Sequence, residues 1–234
     1  MASQLILPNF SLFILAILFL GALQGSRGDF RYVEIENKAT PALGGDRYIH
    51  DIGDEYTAMK VFNATDFAWE IFQENSTATR KSFTHIKVVI QDNLWGAFTE
   101  KNEIHIGALY IQNFTGDVKF EITGIIYHEV SLVWQWYGNG EAPEGLIDGI
   151  ADYVRLKSGY VPYYFVKPGQ GDKWDEGQSV TAYFLDYCDN LKENGSFIAE
   201  LNGKMRYGYS DAYFVELLGK TVDELWSDYK AQYN

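Results

Sequence analysis

Apolar residues recur through the second half of the chain at the spacing of amphipathic helices. Their three-to-four-residue period predicts helices over residues 119–134, 144–157 and 175–192. A last helix is marked at its start by Thr221-Val-Asp-Glu224, which has the form of a capping box and precedes an apolar pattern. The C-terminal half is therefore predicted to be mainly helical.

The segment that precedes these helices has shorter, strand-like patterns. We predict strands over residues 30–36, over 85–90 (HIKVVI) and over 103–108 (EIHIGA), and we interpret the last as a candidate edge strand. One helix of imperfect period is predicted over residues 54–75. Strands and one helix followed by a run of helices predict an α+β fold. A length of 234 residues fits one large domain, which we place at residues 29–234.

The N-terminus has a different character. Residues 11–23 read SLFILAILFLGAL, an apolar run of 13 residues. Spanning a bilayer takes about twenty apolar residues, so the run fits the hydrophobic region of a secretory signal peptide. Small residues at Ser26 and Gly28 place the predicted cleavage near Gly28, which makes residues 1–28 the signal peptide. We therefore expect secretion to the extracellular space or cell wall, with an uncleaved membrane anchor as the alternative.

The net charge and the single cysteine limit the classes of binding partner that the chain can have. The net charge is −13, and without Arg27 of the predicted signal it becomes −14. An acidic surface repels phosphates, so nucleic-acid binding is a poor hypothesis. Because no second long apolar run follows the predicted signal, no membrane contact is expected after signal cleavage. Cys188 is the one cysteine, and we interpret it as a buried thiol, with an intermolecular disulfide as the alternative. Sequons for possible N-glycans occur at Asn63, Asn75, Asn113 and Asn194.

The centre of the chain carries a motif with potential chemistry. Residues 127–136 read YHEVSLVWQW. In the zinc peptidase motif His-Glu-x-x-His, two histidines four apart on a helix bind one ion, and the glutamate takes a proton from the metal-bound water. His128 and Glu129 fit this pattern, but Leu132 occupies the position of the second histidine. Leucine has no lone pair to donate to a metal.

A second acidic pattern follows on the next predicted helix. Asp148 and Asp152 are one helical turn apart in DGIAD. One interpretation makes Asp148 a metal ligand and Asp152 a carboxylate that orients an imidazole. The other makes both residues solvated acids on an amphipathic helix, and the spacing alone favours it.

Long stretches of the chain are similar to a known family. From about residue 29 to 233 it resembles the plant basic secretory protein family, which comprises secreted, defence-associated proteins classed with zinc metallopeptidases. The resemblance rests on GDVKFEITGIIYHEVSLVWQW, EAPEGLIDGIADYVRLKSGY, KPGQGDKW, FLDYC and GYSDAYFVELLGKTVDELWSDYK, which occur in this order. The family pattern at the centre is HEMTHVWQW, followed by GLIEGIADYVRL. The resemblance implies a zincin-like peptidase domain, a Zn²⁺ cofactor and a protein or peptide substrate or partner.

The resemblance also implies site roles. His128 matches the first zinc ligand, Glu129 the general base and Asp152 the carboxylate that orients a ligand. Leu132 stands at the second ligand position, and Asp148 stands where the family has a glutamate, the expected third ligand. The chain thus departs from the pattern at two ligand positions, and its acidity departs from the family name.

Two further groups of side chains are candidates for this site. Histidines at 50 and 85 have no supporting pattern, and His105 is interpreted as a packed or surface residue, although its predicted strand could bring it near a cleft. The aromatic residues Trp134, Trp136, Tyr137 and Tyr153 fit either a cleft or a core; the helical spacing of Trp134 favours the core.

Three functions follow from these patterns. The first is a secreted peptidase-like protein whose zinc site is impaired and which acts by binding in defence. The second is an active zinc endopeptidase with an atypical ligand set. The third, which rests on aromatic content and secretion alone, is a carbohydrate-binding wall protein.

Overall fold

A mixed sheet of four strands forms the N-terminal part of the fold. In a computed structural model of the protein, the chain is described over residues 30–192 and 194–233, so the predicted signal peptide lies outside the described residues. The strands are β1 Tyr32–Asn37, β2 His85–Gln91, β3 Ala97–Glu100 and β4 Glu103–Gly107. Their order is β1-β2-β4-β3, with β1, β2 and β4 parallel and β3 antiparallel to β4.

The burial of the strands explains this order. Ile86, Val88, Val89 and Ile90 of β2 are fully buried, as expected for a strand covered on both faces. The three predicted strands are confirmed, but the interpretation of residues 103–108 as an edge strand is wrong. β4 is internal because β3, which was not predicted, pairs with its other side.

Nine helices account for most of the remaining described chain. They are α1 Leu43–Arg47, α2 Asp54–Ile71, α3 Ala108–Asn113, α4 Val118–Trp134, α5 Glu144–Lys157, α6 Gln178–Asn190, α7 Phe197–Met205, α8 Ala212–Leu218 and α9 Val222–Ala231. A π-helical turn at Tyr48–Ile52 and a 3₁₀ turn at Gly138–Gly140 complete the helical elements. The five predicted helices and the capping box of α9 are confirmed. The short helices α1, α3, α7 and α8 were not predicted. The α+β class is correct.

Helix α4 runs through the centre of the fold between α2 and α5. Trp134 at its end is fully buried, and its ring packs edge-on against Phe30 and Trp69. Tyr153 of α5 is also buried, and its hydroxyl donates a hydrogen bond to Asp189. Both residues are therefore core residues and do not line a cleft. Cys188 is buried as predicted.

No helix in the described part of the chain combines the length and the apolar character that crossing a membrane requires.

Candidate functional site

The candidate site is built on the C-terminal half of α4. The helix begins at a well-formed cap, because the Asp117 carboxylate accepts a hydrogen bond of 3.0 Å from the Phe120 backbone N–H. Most of its side chains are buried on all sides, which holds it rigidly in the core. His128 and Glu129 are adjacent on this helix and both line the same pocket.

His128 and Asp152 form the closest contact in the site. The distance from His128 Nδ1 to Asp152 Oδ1 is 2.6 Å, and the two side chains are 18% and 6% exposed. A carboxylate in this position favours the tautomer with the proton on Nδ1, which leaves Nε2 as the free lone pair. The structure thus brings together two residues that lie 24 apart in sequence, on α4 and α5.

Glu129 is tied to the sheet on the opposite side. Thr99 of β3 donates a hydrogen bond of 2.7 Å to Glu129 Oε2, and its hydroxyl also lies 3.2 Å from the Glu129 backbone oxygen. Thr99 was not predicted, because the short segment AFTE has no strong strand pattern. The edge strand β3 therefore orients the residue in the general-base position.

Burial and the neighbouring charges shift the pKa values of the titratable groups in the site. Burial raises the pKa of Glu129, and the nearby charges of Asp148 and Asp152 raise it further. Burial also raises the pKa of Asp148. Burial alone would lower the pKa of His128, but the hydrogen bond and charge of Asp152, together with Glu129 and Asp148, raise it overall. The site is thus a buried cluster that holds protons more tightly than free side chains do.

The donor set does not fit a three-ligand zinc site. Catalytic zinc sites use three protein ligands plus water. Leu132 is half-buried, packs against the core and offers only its backbone oxygen, which accepts a hydrogen bond of 2.6 Å from the Tyr137 hydroxyl. Within residues 30–192 and 194–233, no group of three His, Cys, Asp or Glu side chains is arranged to hold a metal ion. The roles of His128 and Asp148 as ligands stay predictions.

A pocket of about 350 Å³ opens beside these residues. His128, Glu129 and Asp152 line it, whereas Leu132 and Asp148 are not among its lining residues. Four aromatic residues form part of the other walls, one on α3 and three in the segment after α5: Tyr110, Tyr163, Tyr164 and Phe165. The volume and the mixed polar and aromatic lining are typical of a ligand-binding pocket.

A buried ion pair closes one side of the pocket and joins α4 to α5. Arg155 Nη2 lies 3.1 Å from Glu121 Oε2, and both side chains are almost fully buried. Tyr110 and Tyr164 each donate a hydrogen bond of 2.9 Å to the other carboxylate oxygen of Glu121. The guanidinium lies against Gly124, where an added Cβ would come within 2.5 Å of Arg155 Nε. None of these residues belongs to a motif that predicts a role from the sequence.

The remaining candidates lie elsewhere. His105 lies on β4, where its ring stacks on Phe98 and contacts Gln91 and Glu103. It is a packed residue outside the pocket, as interpreted from the sequence. Trp136 is half-buried and lines a second pocket.

Comparison with known proteins decides the family. The profile of a family described as "Peptidase of plants and bacteria" (BSP) matches residues 29–229. This chain belongs to the BSP family. A curated relative, a basic secretory protease from Boswellia serrata, is 43% identical to this BSP chain over 61 residues, which make up 26% of this chain and 67% of the relative. No solved structure matches the chain.

Proposed function

We propose that this chain is a secreted BSP-family protein that binds peptide segments in its peptidase-type cleft and is impaired in zinc-dependent hydrolysis. The observation that carries the proposal is Leu132, which places a hydrocarbon side chain at the second ligand position beside His128. His128 and Asp148 then supply two donors where three are needed. A zincin-like fold and a defence-associated role, both implied by the family resemblance, are parts of this proposal.

Peptide binding is supported by the position of β3. This strand is at the edge of the described sheet, and its residue Thr99 contacts Glu129. An edge strand offers unpaired backbone groups to an extended peptide, and neighbouring pockets then select its side chains. Trp95 and Phe98 are 64% and 43% exposed near this edge, which adds apolar contact surface.

The test is to restore the missing ligand. We expect the purified wild-type protein to contain much less than one zinc per chain, measured by elemental analysis after dialysis. Leu132→His, alone or with Asp148→Glu, is expected to increase zinc affinity at least tenfold, because it completes the donor set. Leu132→Ala is the matched control: it removes the same apolar bulk without adding a donor. If Leu132→Ala gained as much zinc as Leu132→His, or if neither histidine variant gained any, the ligand assignment would be wrong.

An active zinc endopeptidase with an atypical ligand set is the second candidate. The contact of 2.6 Å between His128 and Asp152 favours it, because this is the hydrogen bond that orients a metal-binding imidazole. Stoichiometric zinc in the wild-type protein, with peptide cleavage that a chelator abolishes and added zinc restores, would support this candidate and overturn the first.

A further inference from the structure

A second pocket of about 290 Å³ lies away from the α4–α5 site, between the end of α2, α7 and the segment after α4. Its lining includes Phe72, Glu74, Trp136, Asn202, Arg206 and Tyr207. The residues of the His128 site do not line it. It is thus a separate cavity with its own mixture of polar groups and rings.

Glu74 is the unusual group in this pocket. The residue is 4% exposed, and its Oε2 atom has no hydrogen-bond partner among the described residues. Oε1 accepts one long hydrogen bond of 3.3 Å from Asn202 Nδ2. Burial raises the pKa of Glu74 to about 7, against the charges of Arg80 and Lys81 and a contact with the Trp136 indole. A buried acceptor without a partner costs free energy, which favours a donor group at this position. Because Oε2 is closed to solvent, a ligand hydroxyl reaches it only when a neighbouring side chain moves aside.

Aromatic surface and charge balance surround this acceptor. Tyr207 is 76% exposed at the rim, and the Arg206 guanidinium lies 5.1 Å from the Trp136 ring and 5.8 Å from the Tyr207 ring. The second acid of the lining, Glu200, is already paired with Lys192. With Glu200 paired, one acid, Glu74, and one base, Arg206, remain in the lining, so the formal charges of the pocket balance, which favours a neutral ligand over an ion.

We propose that this pocket binds one neutral saccharide unit. A sugar ring carries the hydroxyl donors that Glu74 Oε2 lacks and acceptors for Asn202 and Arg206, and its C–H face can lie against an exposed ring such as Tyr207. A volume of about 290 Å³ accommodates one such ring. The proposal gives the aromatic content a local role that does not depend on the His128 site.

The test measures binding of four neutral disaccharides, namely cellobiose, xylobiose, N,N′-diacetylchitobiose and β-1,4-galactobiose. Saturation-transfer NMR and calorimetry on the full secreted chain are expected to detect at least one at millimolar concentration. Glu74→Gln and Tyr207→Ala are each expected to weaken that binding about tenfold. Because Tyr207 is exposed at the rim, its variant should fold normally even if the buried Glu74→Gln does not.

Tyr163→Ala is the matched control, because Tyr163 is also a highly exposed tyrosine but lines the pocket beside His128. We expect it to leave saccharide binding unchanged. Absence of binding for all four sugars, or a loss in Tyr163→Ala without one in Tyr207→Ala, would overturn the proposal. Asn75 of an exposed sequon directly follows Glu74, so Asn75→Gln is tested in parallel. Binding seen in that variant alone would identify the protein's own glycan as the occupant and would still assign a saccharide to the pocket.

Discussion

Replacing Arg155 by methionine tests how the ion pair between α4 and α5 stabilises the fold. Its guanidinium lies 3.1 Å from the Glu121 carboxylate, and the side chains are 4% and 2% exposed. At an effective dielectric constant of about 20, the attraction between two charges at this distance is about 5 kcal/mol. Removing one partner of a buried pair costs about 3–5 kcal/mol, because the remaining charge has no counterion. The hydroxyls of Tyr110 and Tyr164 still reach Glu121, so we expect a loss of about 3 kcal/mol.

The assay is urea unfolding followed by tryptophan fluorescence, for which the chain has 6 tryptophans. The double variant Glu121→Gln/Arg155→Met leaves no buried charge, and we expect it to recover most of the loss. The reasoning would be refuted if Arg155→Met changed the free energy of unfolding by less than about 1 kcal/mol. It would also be refuted if the double variant were no more stable than the single one.

Two further predictions concern titrating groups. Asp152→Asn is expected to lower the pKa of His128, because the neutral amide no longer stabilises the imidazolium; an NMR titration of the His128 ring measures this, and an unchanged titration would contradict it. Burial raises the pKa of Glu74 from 4.5 to about 7, so the folded state binds its proton more tightly than the unfolded state does. The wild type should therefore lose about 3 kcal/mol relative to Glu74→Gln as the pH rises from 4.5 to 7. Urea unfolding at several pH values in this range measures the difference. The prediction would be contradicted if the free energies of unfolding of the two proteins changed equally with pH.

The elements predicted well were those with a long apolar period or a local signal. α5 has the predicted bounds, and the capping box marks the start of α9. β3 was not predicted because it has only four residues and all of them are partly or fully exposed. Without β3, β4 has no partner on its outer side and looks like an edge strand. The local pattern shows which segments alternate between apolar and polar residues. Which strand lies beside another is decided by tertiary packing.

The site was predictable in part for the same reason. His128 and Glu129 were identified because they match the first two residues of the His-Glu-x-x-His motif on one helix. Asp152 was assigned a role because the chain resembles the family pattern at that position. Thr99 contributes through a contact 30 residues away in sequence, which no local pattern contains. Glu74 lies near the end of the helix predicted over residues 54–75, in the polar run QENST, where no apolar pattern indicates burial. Its side chain is nevertheless buried and accepts a hydrogen bond from Asn202 of α7.

Gly124 sets a limit on how α4 can vary. In an isolated helix, replacing glycine by alanine is favourable by about 1 kcal/mol. Here the added methyl group would meet the Arg155 guanidinium, which would have to leave its position beside the Glu121 carboxylate. The ion pair that joins α4 to α5 therefore depends on the absence of one carbon atom at position 124. The helix position at which alanine looks favourable from the sequence is one at which a methyl group would displace a buried ion pair.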